Sequence, residues 1–303
     1  MPELPEVQTV VDDLNKKVLG RKIAGVWLDW PKAIKDPLDQ SKTKIAHKHV
    51  EIFKKSVVGK KILAIKRRAK NILIYLSGDL LLLIHQKMTG HMLVGKWKID
   101  GKKVIPIEPK AVVEDSYNRF IHLLFYLDNG QMLALSDVRK FAKAILGKTK
   151  QIENLPELVK LGPEPLDSKF KYENFQKIIS SEHRKIKQVL MDPEVIAGIG
   201  NIYSDEILWE AKIHPLKPAH KLNSAQLKTL WNAMRKILVK AVKMRGTSSS
   251  DFRDTAGEKG NYTDALLVYQ RENEPCNRCG EKIQRLKNVG GRSAHFCPQC
   301  QKI

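Results

Sequence analysis

The sequence predicts a multi-domain α+β protein, and three observations carry that prediction. After one amphipathic helix, the first half of the chain contains a series of short apolar runs of strand length. The second half instead shows helical periodicity, and a short tail carries two C-x2-C pairs. We therefore expect an N-terminal antiparallel β-sandwich or barrel, then a helical region, then a small cysteine-bearing module.

Length and charge limit the kinds of partner. The chain has 303 residues, and 54 Lys and Arg against 33 Asp and Glu give a formal net charge of +21. Such a surface suits a polyanion such as nucleic acid or an anionic membrane surface, and the alternative is a solvated basic surface without a fixed partner. No apolar run reaches the roughly 18 residues of a membrane span, and the N-terminus lacks a signal-peptide pattern. We expect a cytoplasmic protein, nucleoid-associated if bacterial, with no membrane partner.

The first half begins with a helix and continues as strands. Pro5 suits a first helical turn, and apolar residues recur at helical spacing from Val7 to Val18, so the helix should end near Gly20. The triplet DNG at 128–130 is a hairpin turn signal. The runs predicted as strands are 26–30, 61–67, 71–76, 80–85, 120–127 and 131–135.

The second half follows a segment rich in turn residues. Three prolines and two glycines fall within 145–168, which favours a connection between domains. The polar, Gly- and Ser-rich stretch 247–262 is predicted to be a mobile loop. Helices are predicted at 171–180, 184–192, 200–211 and 223–245. The predicted domains are 1–150, a linker at 151–168, a helical domain at 169–265 and a tail at 266–303.

The cysteines form a pattern typical of a metal site. Cys276, Cys279, Cys297 and Cys300 have the spacing C-x2-C-x17-C-x2-C, which places two thiolates per turn on one tetrahedral ion. We predict one structural Zn²⁺ in a reducing compartment, and a redox dithiol is the competing interpretation. Between the pairs, Arg292 follows two glycines, so the module should be a hairpin with a cationic tip.

The first residues suggest a nucleophile. Removal of Met1, expected because the next residue is small, would make Pro2 a terminal secondary amine, and a terminal amine has a pKa of about 7.7 to 8.0 against about 10.4 for lysine. Glu3 would then be a general acid beside it, and Glu6 could orient groups or relay protons. The alternative is that these residues only begin a helix, where prolines and acids are favoured.

Several motifs in order strengthen the first interpretation. They are PELPEV at the start, RRAKN (67–71), HQKMTG (85–90), DVRKF (137–141), GPEPL (162–166) and AGIGNIYSDEILWEAKIHP (197–215), followed by the cysteine pairs. With these motifs the chain resembles the formamidopyrimidine-DNA glycosylases over nearly its full length. The resemblance implies a helix-two-turn-helix DNA-binding domain at 169–265, with 247–262 as a lesion-capping loop, and a zinc finger at 266–303.

The resemblance also implies an activity and a role for each matching residue. It implies a bifunctional glycosylase and abasic-site lyase of base excision repair that removes oxidised purines such as 8-oxoguanine and formamidopyrimidines. Pro2 would attack C1′ to give a Schiff base, Glu3 would transfer protons, and the abasic strand would be cut by β,δ-elimination. Glu6 would support the site, with Lys70 and Arg292 assisting elimination. The residues assigned to DNA are His85, Met88, His122, Arg139, Phe141, Lys187 and Asn201.

Physical arguments support part of this assignment. A target base stacked in a duplex must be extruded, and Met88, Arg139 and Phe141 resemble the set that fills the void. The alternative for Met88 and Phe141 is ordinary core packing. The Gly-rich turn before Asn201 opens a helix, which suits a phosphate; such glycines are more often steric.

The chain also departs from the family pattern. Phe120 stands where the family commonly has a histidine, and Ala142 follows Phe141 where the family often has glycine. Pro193 stands where the family usually has a hydrogen-bonding residue, and an insertion occupies 95–115.

The partner that the resemblance implies is double-stranded DNA carrying an oxidised base or abasic site, bound by a monomer with no organic cofactor. The alternatives are an endonuclease VIII-like enzyme for oxidised pyrimidines and a non-catalytic zinc-finger binder of damaged DNA, against which Pro2, Glu3 and Lys70 argue.

Overall fold

A computed structural model of the chain describes residues 1–38, 47–101, 103–248 and 251–303, so residue 102 of the insertion and residues 249 and 250 of the predicted loop lie outside the described residues. The described residues form two compact units. Unit 1 comprises Met1–Val159 together with Arg245–Asn261, and unit 2 comprises Lys160–Met244 together with Tyr262–Ile303. The mixed α+β fold predicted from the sequence is confirmed. Among the described residues, no helix combines the length and the apolar character needed to cross a membrane.

Unit 1 begins with helix α1, Leu4–Lys17. Its apolar stripe, from Val7 through Val10 and Val11 to Leu14, is buried as the periodicity predicts. The helix packs with both sheets of the unit in one continuous apolar core. Because this stripe is locked into the core, the first turn of α1 has a fixed position in unit 1.

Two five-stranded sheets face that core, which makes unit 1 a sandwich. Their orders are β1-β8-β9-β6-β7 and β2-β10-β5-β4-β3, and every pairing is antiparallel except the two-residue pairing of β2 with β10. The strands are β1 Ile23–Leu28, β2 Ile34–Lys35, β3 Ile62–Arg68, β4 Asn71–Leu76, β5 Leu80–His85, β6 Gly90–Asp100, β7 Lys103–Glu108, β8 Ile121–Leu127, β9 Met132–Asp137 and β10 Lys143–Lys148. Helices α2 (His47–Val57), α3 (Lys110–Glu114), α4 (Thr149–Glu153) and α5 (Pro156–Val159) complete unit 1.

The predicted strands all exist, and the structure adds others. Strands β6 and β7 form a hairpin through the 95–115 insertion, followed by α3. The sequence pattern missed β7 because it is exposed at alternate positions and contains Pro106, which is unfavourable in a strand. It missed β10 because a glycine and flanking lysines interrupt its apolar run.

Unit 2 is helical, with an apolar core of its own. Its helices are α6 (Tyr172–Ser180), α7 (Ile186–Met191), α8 (Asn201–Glu210) and α9 (Ser224–Lys243), within two residues of the predicted bounds. The unit ends in a hairpin of strands β11 (Gln284–Val289) and β12 (Arg292–Phe296). The predicted hairpin of the cysteine module is therefore confirmed.

Candidate active site and nucleic-acid interface

The N-terminus of unit 1 is fixed by a reciprocal cap. The Glu3 backbone N–H donates to Glu6 Oε2 at 2.8 Å, and the Glu3 side chain accepts from the backbone of Glu6. Pro2 and both glutamates are buried, while Met1 is 43% exposed. The interpretation as a helix start is thus correct, and it is compatible with a chemical role because the cap aims the residues before α1.

Glu6 makes a second contact that no sequence pattern could reveal. Its Oε1 accepts from the backbone N–H of Thr247 at 2.7 Å, so one carboxylate joins α1 to the start of the polar segment. Gly246 has φ +77, and a Cβ there would lie 2.7 Å from Glu6 Oε1. Glycine is therefore required for this close approach.

Lys70 stands in the turn between β3 and β4 and acts on the N-terminal amine. Burial lowers the pKa of the Met1 amine, and the positive charge of Lys70 lowers it further. Glu3, Glu6 and Asp251 oppose this shift. The Met1 amine is therefore more often unprotonated than an exposed terminus, and three of the charges that act on it belong to residues predicted for the site, Glu3, Glu6 and Lys70.

The three residues assigned to void filling are exposed, in contrast to ordinary core residues. Met88 is 38% and Phe141 52% exposed, and the Arg139 guanidinium lies 4.7 Å from the Phe141 ring centroid. Met88 and Phe141 line a cleft of about 450 Å³ that also contains Trp30 and four lysines. An exposed thioether and ring beside several cations suit insertion into stacked bases and contact with phosphates.

A buried carboxylate organises the turn that carries Arg139 and Phe141. Asp137 Oδ2 accepts from the backbone N–H groups of Phe141 at 2.6 Å and Ala142 at 2.7 Å. Its Oδ1 accepts from the Arg139 N–H at 3.2 Å and from the Thr89 hydroxyl. Asp137 thus joins the two loops that hold the void-filling residues, a role that sequence reasoning missed although DVRKF contains it.

The two histidines assigned to DNA have different surroundings. Burial and neighbouring lysines lower the pKa of His85 to about 3, and its Nδ1 accepts from the Lys87 N–H at 2.9 Å. His85 is therefore neutral at physiological pH and has Nε2–H as its donor. His122 is 8% exposed and its Nδ1 is 2.8 Å from Asp29 Oδ1, while its buried Nε2 has no partner among the described residues. The burial of His122 does not support a contact with a DNA phosphate, and that role stays a prediction.

Unit 2 contains the other residues assigned to DNA. Asn201 is the first residue of α8, after Gly200, and its Oδ1 has no hydrogen-bond partner within the described part of the chain. Backbone N–H groups at a helix start, with a side-chain amide beside them, suit a phosphate oxygen. Arg292 is exposed at the start of β12, beside the positive-φ glycines 290 and 291.

Lys187 requires a correction. The sequence predicts a contact with a backbone phosphate, yet its side chain is completely buried and its ammonium pairs with Asp205. The same ammonium donates to the Ser293 carbonyl at 2.8 Å, one residue from Arg292. A buried, paired cation cannot reach a phosphate without breaking these contacts, so Lys187 holds the hairpin of Arg292 instead.

The four cysteines are placed to bind one metal ion. The Sγ atoms of Cys276, Cys279, Cys297 and Cys300 all lie within 4.8 Å of one another. Zn–S bonds of about 2.3 Å in tetrahedral geometry separate sulfurs by about 3.8 Å, so this group fits a structural Zn²⁺. Backbone and indole N–H groups of Arg278 and Trp209 donate to Cys276 Sγ at 3.4 Å and would stabilise a thiolate.

Comparison with known proteins covers all of these regions. Residues 1–144 match the profile of the "Formamidopyrimidine-DNA glycosylase N-terminal domain", residues 161–253 that of the "Formamidopyrimidine-DNA glycosylase H2TH domain", and residues 273–303 that of the "Zinc finger found in FPG and IleRS". The formamidopyrimidine-DNA glycosylase of Pelotomaculum thermopropionicum is 39% identical over 303 residues, covering 100% of both chains. That of Streptococcus pyogenes is 39% identical over 302 residues, covering 100% of this chain and 99% of the relative.

Solved structures agree with the sequence relatives. The Lactococcus lactis Fpg in complex with abasic-site DNA is 34% identical, with a TM-score of 0.82 over 99% of this chain and 100% of that one. A mutant form of the same protein bound to Fapy-dG DNA gives a TM-score of 0.82 over 100% of each chain. The chain described here therefore belongs to the formamidopyrimidine-DNA glycosylase family.

Proposed function

We propose that this protein excises oxidised purines from duplex DNA through an N-terminal proline and then cuts the abasic strand. Base excision repair glycosylase activity follows from the family, whose relatives carry that name over their full length, and the lyase activity is part of the family. The related Lactococcus structures contain abasic-site or Fapy-dG DNA, which supports damaged duplex DNA as the substrate here.

The observation that carries the chemical proposal is the environment of the N-terminal amine. An amine attacks carbon only when unprotonated, and burial and the charge of Lys70 lower the pKa of the Met1 amine. Loss of Met1 makes the nitrogen of the adjacent, buried Pro2 a secondary amine beside Glu3, and we expect the same surroundings to act on it. Attack of the Pro2 nitrogen on C1′ breaks the glycosidic bond as the base leaves with a proton, and opening of the sugar ring gives an iminium.

Glu3, Lys70 and Arg292 have separate roles in ring opening and elimination. Glu3 donates the proton that opens the ring and removes protons during elimination, and Lys70 assists beside the lesion. Each elimination removes a sugar C–H proton and releases one phosphate, which gives β- and then δ-cleavage of the strand. Arg292 holds the phosphate beside the lesion, and the zinc ion keeps its hairpin folded without entering the chemistry.

Trapping with borohydride tests the proposal. Reduction of the iminium should crosslink wild-type protein to duplex DNA containing 8-oxoguanine opposite cytosine, and Pro2→Gly should reduce the crosslink strongly. Val58→Ala, an exposed change on the same unit, serves as the control. Undiminished crosslinking by Pro2→Gly, or none by folded wild-type protein, would contradict the proline iminium.

Oxidised pyrimidines are a second substrate class to test. One related structure is the Lactococcus lactis Fpg with DNA that contains an oxidised pyrimidine, so a pocket of this kind admits more than purines. We expect this protein to prefer the purine. Excision rates on matched duplexes with 8-oxoguanine or thymine glycol separate the two specificities, and faster release of thymine glycol would favour the endonuclease VIII-like alternative.

A further inference from the structure

Residues 252–258 of the polar segment 247–262 are held by the end of the 95–115 insertion. Arg253 is 2% exposed, and its Nε donates to Asp115 Oδ2, directly after helix α3, at 2.6 Å. The same guanidinium lies 4.9 Å from the Tyr117 ring centroid and donates through Nη1 to the Phe252 carbonyl at 2.8 Å. Although burial acts to raise the pKa of Asp115, the hydrogen bond and charge of Arg253 help to lower it overall. A buried cation thus joins this segment to the insertion.

Asn118 is a second anchor, three residues further along the chain. Its side-chain amide is buried and donates to the carbonyls of Gly257 at 3.2 Å and Ala111 at 3.0 Å. Gly257 has φ +84, and a Cβ there would lie 2.6 Å from Asn118 Nδ2. The same Cβ would lie 3.0 Å from Val112 Cγ2 of α3, so the segment approaches the insertion closely enough to require glycine.

The opposite side of the segment is fixed to the sandwich. Phe252 is 6% exposed within the apolar core, and the Val94 N–H of β6 donates to the Thr255 carbonyl at 2.8 Å. The Thr255 hydroxyl donates to Asp13 Oδ2 on α1 at 3.0 Å. Residues 252–258 consequently lie between the insertion and the elements that position the N-terminus.

The start of the same polar segment borders the N-terminus. Thr247 is bonded to Glu6, and the charge of Asp251 acts on the N-terminal amine. A base attached to C1′ must lie within a few ångströms of the nitrogen that attacks C1′, and therefore beside this segment. An abasic site has no base at that position, so its cleavage would not depend on contacts with this segment.

Resting on the proposed glycosylase function, we propose that Asp115 and Arg253 are positioning residues for base-bearing substrate. By holding residues 252–258, the insertion fixes the part of the chain that directly follows Asp251 at the distance that the damaged base requires. The insertion therefore contributes to lesion selectivity, although Asp115 and Arg253 touch no reacting atom. The ratio of base excision to abasic-site cutting is the quantity that this role changes.

Asp115→Asn and Arg253→Met break the ion pair without adding volume, and Glu114→Gln is the matched control. Glu114 is the neighbouring residue on α3, and its side chain is 64% exposed. Single-turnover rates are measured for full-length zinc-loaded protein on a duplex with 8-oxoguanine and on the same duplex with a natural abasic site. Excision should fall between about tenfold and about a hundredfold in both variants, because small misplacements near a reacting centre have effects of this size. Abasic cutting, and both activities of Glu114→Gln, should stay within about twofold of wild type.

The double variant gives an independent readout. If the two side chains act as one unit, Asp115→Asn with Arg253→Met should be no slower in excision than the slower single variant. Arg253→Lys keeps the charge but loses the planar fork, and it supplies the comparison if a more drastic variant does not fold. The proposal would be overturned if a folded variant lost both activities equally, or if neither base excision nor abasic-site cutting changed. Failure of wild-type protein to excise or cut would instead refute the proposed function.

Discussion

Lys187 and Asp205 form an ion pair in which both side chains are completely buried. Asp205 also accepts from the His295 backbone N–H at 2.9 Å, and Lys187 donates to the Ser293 carbonyl. The pair therefore binds the backbone of strand β12 on both sides of Ala294. Removing one partner of a buried pair leaves an uncompensated charge. We expect Lys187→Met to lower the unfolding free energy of unit 2 by about 3–5 kcal/mol.

The control for Lys187→Met is an exposed ion pair of the same unit. Arg184 pairs with Glu182 and Asp192 with its side chain 43% exposed, so Arg184→Met should cost only about 0–1 kcal/mol. Hydrogen exchange of the unit 2 amides as a function of urea measures the two variants side by side. Equal losses for both variants would mean that burial adds nothing to the Lys187 pair.

Asp137 should matter for DNA affinity although it is 2% exposed. Asp137→Ala removes the acceptor of three backbone N–H groups, those of Arg139, Phe141 and Ala142, and each buried unsatisfied donor costs about 1–3 kcal/mol. The loop should loosen, and the affinity for duplex containing an abasic-site analogue should fall about tenfold, equivalent to about 1.4 kcal/mol. Fluorescence anisotropy measures the affinity. Asp128→Ala, a change in an exposed turn of the same unit, is the control and should bind DNA with wild-type affinity. Wild-type affinity of Asp137→Ala would show that binding does not need the carboxylate to hold this loop.

Gly246 should be sensitive for a reason beyond its backbone angle. Gly246 and Gly130 have φ +77 and +79, but only at Gly246 would a Cβ meet the Glu6 carboxylate, since Gly130 has nothing within 4 Å. Both Ala variants should therefore share a strain of about 1–2 kcal/mol. Gly246→Ala should in addition displace Glu6 and reduce borohydride crosslinking at saturating DNA. Equal crosslinking by the two variants would show that the position of the Glu6 carboxylate does not affect the reaction.

Zinc should act on DNA binding through the hairpin that carries Arg292, and it takes no direct part in the chemistry. Chelation of the ion held by Cys276, Cys279, Cys297 and Cys300 removes the constraint on the β11–β12 hairpin, so Arg292 loses its fixed position. We expect affinity for duplex DNA to fall and to recover when Zn²⁺ is added back. Anisotropy titrations with and without chelator measure this effect. Normal binding and cutting by metal-free, folded protein would contradict a structural role for zinc.

The sequence was sufficient for the elements whose local pattern is regular, but not for β7 and β10, where proline or glycine interrupts the pattern. Periodicity located α1 and the helices of unit 2, and the cysteine spacing predicted a group that the structure brings together. It could not reveal contacts between residues far apart in the chain, such as Glu6 with Thr247 or Arg253 with Asp115. The error at Lys187 has the same origin: a lysine in a basic segment is usually exposed, and only the fold brings Asp205 beside its ammonium.

Lys70 should set the pH at which the N-terminal amine becomes a nucleophile. Burial lowers the pKa of the Met1 amine below its ordinary value of 8.0, and Lys70 adds to that shift, while Glu3 and Glu6 oppose it. We expect the same surroundings to act on the adjacent Pro2 amine once Met1 is removed. Only the unprotonated amine attacks, so the initial rate of borohydride crosslinking should rise as pH passes through the pKa of the Pro2 amine. Lys70→Met removes a positive charge that disfavours the protonated form, so its midpoint should lie at higher pH than that of wild type. Lys66→Met, an exposed change on β3, should leave the midpoint in place. A midpoint that moves to lower pH in Lys70→Met, or not at all, would show that Lys70 does not control protonation of the nucleophile.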